Sequence, residues 1–231
     1  MLPCYNEADN LPLLLERYLR VWQDLPTELI LVNNGSTDRT AEVLDRELNR
    51  PELSFARAIV VARNRGYGHG VSIGLRAARG EFVGFSHADM QCDPADVFTA
   101  YHQLVAEADP ARAMVKGRRV GRRRGASLVT NAMTLLASTV LLARLTDINA
   151  QPKVFHSSHA DRLTNPPDSF EFDLYVLYRA RQARLTVLTI PVEFGERAHG
   201  RSKWAFSLRS RYRMMLSTMI YIFRLRFGGG K

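Results

Sequence analysis

The sequence predicts an α/β fold, a mostly parallel sheet flanked by helices, followed by a basic amphipathic helical tail. Three observations carry the prediction. Short apolar runs alternate with segments of helical periodicity over the first two-thirds of the chain. Polar or glycine-rich loops follow four successive runs, the position at which open α/β sheets bind ligands. The end of the chain mixes large apolar residues with arginine.

Met1-Leu2-Pro3 reads as the end of a strand whose beginning lies upstream, and no signal-peptide pattern opens the sequence. Glu28 to Val32 is a buried strand, and Asp38 to Leu48 a helix behind a Ser/Thr/Asp capping cluster. Ala58 to Val61 is the next strand; Gly66, Gly68 and Gly70 then turn the chain into a helix running through Ala77 and Ala78. Phe82 to Phe85 follows as a strand, Asp93-Pro94 opens a helix, and Ala113 to Val115 is a further strand. Past Gly117 the composition shifts: Arg118, Arg119, Arg122, Arg123 and Arg124 crowd seven positions. An apolar helix over Leu128 to Leu145, interrupted by polar residues, suits packing better than a membrane span. Thr186 to Pro191 is a late strand, Trp204 to Phe227 the basic tail, and Gly228 to Gly230 a frayed end.

A chain of 231 residues with 46% apolar and 24% charged residues suits one domain over 1–205, in two halves (1–117 and 118–205), with a tail over 206–231. This composition excludes wholesale disorder, a coiled coil and a collagen-like chain. The net charge of +9, 32 Lys and Arg against 23 Asp and Glu, suits a polyanionic partner. Nucleic acid is not expected, because no groove-reading or base-stacking motif accompanies the charge. Cys4 and Cys92 have no metal-site spacing and read as reduced thiols. No stretch of eighteen uncharged apolar residues occurs, so no segment is expected to span a bilayer alone.

Chemistry gathers in the four loops: Pro3-Cys4-Tyr5-Asn6-Glu7-Ala8, Asn33-Asn34-Gly35-Ser36-Thr37-Asp38, Asn64 to Gly70, and His87-Ala88-Asp89-Met90-Gln91. Their joint occurrence makes a binding site. Together they resemble glycosyltransferase family 2, with its GT-A, Rossmann-like fold. The resemblance extends over nearly the whole chain. Gly117-Arg118-Arg119, Asp147 to Phe155, and Arg197-Ala198-His199-Gly200-Arg201-Ser202-Lys203-Trp204 point to the branch containing dolichyl-phosphate mannosyltransferase and bacterial polyprenyl-phosphate glycosyltransferases.

The resemblance implies a metal-dependent, inverting enzyme that takes a sugar from a nucleotide-sugar donor. Pro3, Tyr5, Glu7, Asn34, Asp38, Gly66, His87, Ala88 and Asp89 would line the donor site. Asn34 stands where relatives usually carry a base-binding aspartate, which leaves the base open between uracil, guanine and thymine. The family's Asp-X-Asp motif maps onto His87-Ala88-Asp89, with its first aspartate replaced by histidine. A divalent Mn or Mg ion would rest on Asp89, Gln91 and His87, and imidazole favours Mn²⁺ over Mg²⁺. His87 packing beside the ribose without touching metal is the alternative. The phosphate of a polyprenyl acceptor would meet Arg118, Arg123, Ser127, Arg197, Ser202 and Lys203, with Asp89, Arg118, Arg197 and Lys203 carrying catalysis.

The rival acceptor is a glycan hydroxyl, as in cell-envelope polysaccharide synthesis, with Glu171 or Asp173 as base. The adjacent Glu-Asp pair that such enzymes use is absent from Phe170-Glu171-Phe172-Asp173. With a phosphate acceptor, Asp173→Asn is expected to be mild. A non-catalytic sugar-nucleotide-binding protein is the third reading. The basic tail is expected to lie on an anionic membrane surface, which makes the protein cytoplasmic and peripheral to the cytoplasmic face.

Overall fold

A computed structural model describes residues 1–22, 25–121, 124–195 and 208–228, with side chains over 1–22, 25–121, 131–195 and 212–228. The elements run β1 (Leu2–Cys4), α1 (Leu11–Val21), β2 (Leu29–Asn34), α2 (Thr40–Leu48), β3 (Ala56–Val61), α3 (Tyr67–Ala77), β4 (Phe82–Phe85), α4 (Pro94–Val105) and β5 (Ala113–Val120). There follow α5 (Arg124–Leu141), β6 (Lys153–His156), α6 (Ser157–Asp161), α7 (Phe172–Gln182), β7 (Thr186–Glu193) and α8 (Leu208–Phe227).

β1, β2 and β3 form a parallel sheet in that order. β2 is central and buried at all six positions, as a strand covered on both faces must be. β3 is the edge, and its Val60 is 73% exposed. A second sheet has the order β4-β6-β5-β7. Two bonds join the sheets: the Met1 amine donates to Gly84 O (2.7 Å) and Ser86 N to Met1 O (3.2 Å). Within the second sheet β6 runs antiparallel to both neighbours, while β5 and β7 are parallel. The expected fold class therefore holds, with one antiparallel strand inserted that the sequence pattern does not announce. Lys153-Val154-Phe155-His156 is too short and too polar at its ends to read as a buried run.

Helices cover both faces. Leu11, Leu14 and Leu15 of α1 and Val43 and Leu44 of α2 pack with Leu2, Leu29 and Leu31. Phe85, Met114 and Phe155 meet Val71 of α3, Ala137 and Leu141 of α5, residues 172–180 of α7, and Ile222 of α8. Ala100 and Leu104 of α4 close over Val115, Val154, Ile190 and Val192. Pro94 opens α4 behind Asp93, whose carboxylate accepts from Ala95 N (2.9 Å), as its sequence predicts. Cys4 and Cys92 are buried free thiols.

Candidate functional site

The strand directions decide where the chemistry lies. β1, β2, β3, β4, β5 and β7 all point their carboxyl ends to one side, and the 147–152 loop enters β6 from that side. All four predicted loops, the Arg118–Gly121 exit and Gly195 therefore share one rim. A cavity of about 530 Å³ opens at the opposite end, among Glu28, Leu29, Phe82, Phe98 and Tyr101, away from these groups.

The first two loops are sewn together. Asn6, at φ 56°, donates its backbone N–H to Ser36 Oγ (3.1 Å) and accepts from Thr37 N on Oδ1 (2.8 Å). Glu7 N donates to Thr40 Oγ1 (2.9 Å), and Asp38 accepts from Ala8 N and Thr40 N. Pro3, Tyr5 and Glu7 are partly exposed along this seam, and Asp38 is exposed. Asn34 is 2% exposed; its amide N–H donates to Gly66 O (2.8 Å), and its Oδ1 has no hydrogen-bond partner. One proton of its amide thus holds the glycine turn, and the amide oxygen is left as an unpaired acceptor.

That turn leans on the approach to α7. Gly66 has φ 130°, and a Cβ there would strike Asp168 O. Gly68 N donates to Ser169 O (3.2 Å) and His69 N to Asp168 O (3.0 Å). The first amides of α3 are therefore satisfied by protein carbonyls, and the glycines permit close backbone packing.

Asp89 is 6% exposed, beside the buried Ala88 and next to Met90 at φ 66°. Its Oδ1 accepts from Gln91 N (3.3 Å). Gln91 donates Nε2 to Gly195 O (3.0 Å) and accepts Gly195 N on its backbone oxygen (2.9 Å). The chain is thereby fastened to this loop immediately before its basic segment. His87 is partly exposed, its ring 5.8 Å from that of Tyr67. Among the described residues no three His, Cys, Asp or Glu side chains converge as a metal site. One carboxylate, one imidazole and one amide suit a cation that completes its shell with ligand oxygens.

Arg118 is exposed on β5. Arg123, Arg197, Ser202, Lys203 and the Ser127 side chain lie outside the described residues. Arg119 instead pairs with Asp147 through its guanidinium and its backbone N–H. Burial raises the Asp147 carboxyl, but Arg119 outweighs it and holds the group below its ordinary range.

The rival bases are both engaged. Asp173 is 0% exposed and salt-bridged to Lys153, itself 0% exposed. Glu171, 6% exposed, accepts from the hydroxyls of Ser169, Ser217 (2.7 Å) and Thr218 (3.3 Å), tying α8 to the start of α7. Beside Lys153 in the sheet, Lys116 donates to Gly117 O (2.8 Å) and Asp147 O (3.0 Å). Burial, then the Lys153 charge, push Lys116 down to about 7. Sequence reasoning singled out neither lysine nor Tyr67. The available signal was a cation inside each apolar run, Met114-Val115-Lys116 and Lys153-Val154-Phe155.

Comparison with known proteins gives a consistent result. The model of "Glycosyl transferase family 2" matches residues 1–165. An undecaprenyl-phosphate 4-deoxy-4-formamido-L-arabinose transferase from Proteus mirabilis is 30% identical over 213 residues, and one from Photorhabdus laumondii is 29% identical over the same length. Each alignment takes in 89% of this chain, which spans 62% of the length of either relative. Among solved structures, glucosyl-3-phosphoglycerate synthase from Mycobacterium tuberculosis, in complex with Mn²⁺, UDP and glucosyl-3-phosphoglycerate, superposes at TM-score 0.71 with 20% identity. It covers 100% of this chain and 79% of its own. The mannosyltransferase PcManGT from Pyrobaculum calidifontis, with GDP-Man and Mn²⁺, gives 0.67 at 21% identity, covering 100% and 64%. At such identities these structures establish the shared fold.

Proposed function

This chain belongs to glycosyl transferase family 2, and from that premise we propose that it transfers a sugar from a nucleotide-sugar donor to a polyprenyl phosphate, with inversion at the anomeric carbon. The acceptor phosphate oxygen attacks that carbon while its bond to the donor diphosphate breaks. A sugar–phosphate–polyprenyl diester forms and the nucleoside diphosphate leaves. No proton has to be removed, because the acceptor is already ionised.

The observation that carries this reading is the state of the two carboxylates opening α7. Asp173 is buried against Lys153, and Glu171 is occupied by three hydroxyls. A hydroxyl acceptor needs a base within hydrogen-bond reach, and neither group is presented as one. The likeness to the undecaprenyl-phosphate transferases supports the same acceptor class.

The donor would lie along the rim formed by Pro3, Tyr5, Glu7, Asp38 and the His87–Gln91 loop. The unpaired Oδ1 of Asn34 suits a base that offers a ring N–H, as uracil, thymine and guanine do. Asp89, with His87 and Gln91, would hold a Mn or Mg ion, whose charge would stabilise the departing diphosphate. Arg118, Arg123, Ser127, Arg197, Ser202 and Lys203 would receive the acceptor phosphate.

A lipid-borne acceptor suits α8. Tyr212, Leu216, Met219, Ile220, Phe223 and Phe227 form one exposed stripe, flanked by Arg213, Arg224 and Arg226. Among the described residues no helix is long and apolar enough to cross a membrane. The stripe suits a helix lying in an anionic interface, on the cytoplasmic face where nucleotide sugars are found. Behind it, a cavity of about 120 Å³ lined by Met133, Ile148, Phe170, Met214 and Met215 supports contact with a hydrocarbon chain.

The test is a product assay with nucleotide sugars, Mn²⁺ and polyprenyl phosphate in anionic vesicles, beside an oligosaccharide acceptor. The expected product is a glycolipid phosphodiester formed with release of nucleoside diphosphate. Transfer to the oligosaccharide alone would overturn the reading.

A further inference from the structure

The centre of the second sheet holds a polar chain that folding alone does not require. Lys116 and Lys153 are direct cross-strand partners, 1% and 0% exposed, where two apolar side chains would pack at lower cost. Lys153 Nζ donates to Ala150 O (3.1 Å) and to Asp173 Oδ1. Gln151, 1% exposed, donates Nε2 to the same Oδ1 (2.8 Å) and to the Tyr67 hydroxyl (3.1 Å). Tyr67 is the first residue of α3, and its ring stands 5.8 Å from His87 and 6.0 Å from Phe170. A continuous path of named contacts therefore runs from the sheet interior to the loop that carries Asp89.

A phenol can be turned or withdrawn unless its oxygen is held. Here the amide of Gln151 and the Asp173 carboxylate both meet it, and the Lys153–Asp173 pair also orients the amide. Gly117 completes the support: a Cβ there would strike Gln151 O, and its own N–H donates to Pro152 O (2.9 Å), so β5 closes directly on the 151–152 turn.

We propose that Gln151, anchored by the buried Lys153–Asp173 pair, is a positioning residue that fixes Tyr67 against His87 and so sets the loop that receives the donor diphosphate. The inference rests on the donor site proposed above and adds to it a support that no donor contact reveals. Its action passes through Tyr67, whose ring is the one that meets His87.

Three variants separate positioning from mere stability. Tyr67→Phe keeps the ring and removes the held oxygen. Gln151→Leu removes the amide. The double variant Lys153→Met/Asp173→Leu replaces the buried pair by apolar groups, a change that commonly leaves stability unchanged or improved, so it keeps the test valid where a single charge deletion fails to fold. The readouts are the thermal midpoint and the calorimetric affinity for UDP, GDP and dTDP with Mn²⁺. Each variant is expected to lose about tenfold in affinity for the nucleotide that the unmodified chain binds best, the loss expected for one oriented hydrogen bond. The double variant should do so without a lower midpoint, and KM for polyprenyl phosphate should stay unchanged. Unaltered nucleotide affinity in Tyr67→Phe and the double variant would overturn the proposal while leaving the donor site standing. Failure of the unmodified chain to bind any of the three nucleotides would instead remove the donor site itself, and the positioning role with it.

Discussion

Asp173 and Asp89 are both almost fully buried aspartates, and their surroundings give them opposite chemistry. Asp173 is joined to Lys153 in the interior, so Asp173→Asn, expected to be mild for transfer to a phosphate, carries a cost in stability. An amide there leaves Lys153 as a buried unpaired charge, a change that costs about 3–5 kcal/mol. We expect chemical denaturation of Asp173→Asn to show that loss; a variant as stable as the unmodified chain would contradict the pairing. Asp89 lies on a rim loop, where Asn preserves the acceptor that takes Gln91 N. Asp89→Asn should therefore melt within a few degrees of the parent yet lose about a hundredfold or more in turnover, the scale of a lost electrostatic contact. Near-normal turnover would show that Asp89 is not the metal-bearing group. Sequence motifs marked Asp89 because the loop pattern is local. They missed Lys153 and Tyr67 because a buried cation is recognisable only once its partner, twenty residues away, is known. His159 is a separate case. It is buried edge-on against Phe155 (5.2 Å), and burial pushes it down to about 4. Its folded value lies below the ordinary 6.5, so its contribution is whole above pH 6.5 and is lost as pH falls through 4. His159→Phe should lose roughly 3 kcal/mol less than the parent across that window. Equal acid sensitivity of the two proteins would contradict the assignment.

Elements with a strong local period were legible. Strands β2, β3, β4 and β7 and helices α2 and α3 fall within about two residues of their expected bounds, α4 opens at Pro94 as expected, and β5 starts at Ala113 but runs on past Val115 to Val120. β6 was not, because its strand character comes from pairing with β4 and β5 rather than from its own four residues. α5 begins at Arg124, inside the arginine run rather than at Leu128 as expected, and ends at Leu141. There Leu142, at φ 51°, turns the chain, and Ala143 N bonds back to Ser138 O. The tail was recognised as amphipathic, but only the fold distinguishes its two faces. Met214, Met215, Thr218 and Ile222 line the cavity shared with α5 and α7, and the Tyr212–Phe227 stripe faces outward. A double change, Ile220→Asp and Phe223→Asp, on that outer stripe should abolish co-sedimentation with anionic vesicles. It should move the thermal midpoint little, since both side chains are about half exposed. Retained sedimentation, or collapse of the fold, would show that the stripe has another role.

On the scale of the whole molecule, the chain carries a net charge of +9. Arg118 stands near the rim of strand carboxyl ends, while Arg213, Arg224 and Arg226 flank the apolar stripe of α8. The strand directions explain how distant segments come to one rim: residues near 7, 38, 89, 118 and 195 all leave carboxyl ends on the same side. That convergence was predicted from loop positions, whereas the buried support beneath it was not, since it depends on β6 being inserted antiparallel. The proposed acceptor is a pre-ionised phosphate held by cations, and the partition of one donor between polyprenyl phosphate and water tests this most directly. In Arg197→Ala and Lys203→Ala, transfer to polyprenyl phosphate should fall by about tenfold or more, as expected for a charge-assisted contact. Hydrolysis of the same donor should persist, because water makes no contact with these cations. Parallel loss of transfer and hydrolysis, or unchanged transfer in both variants, would contradict it.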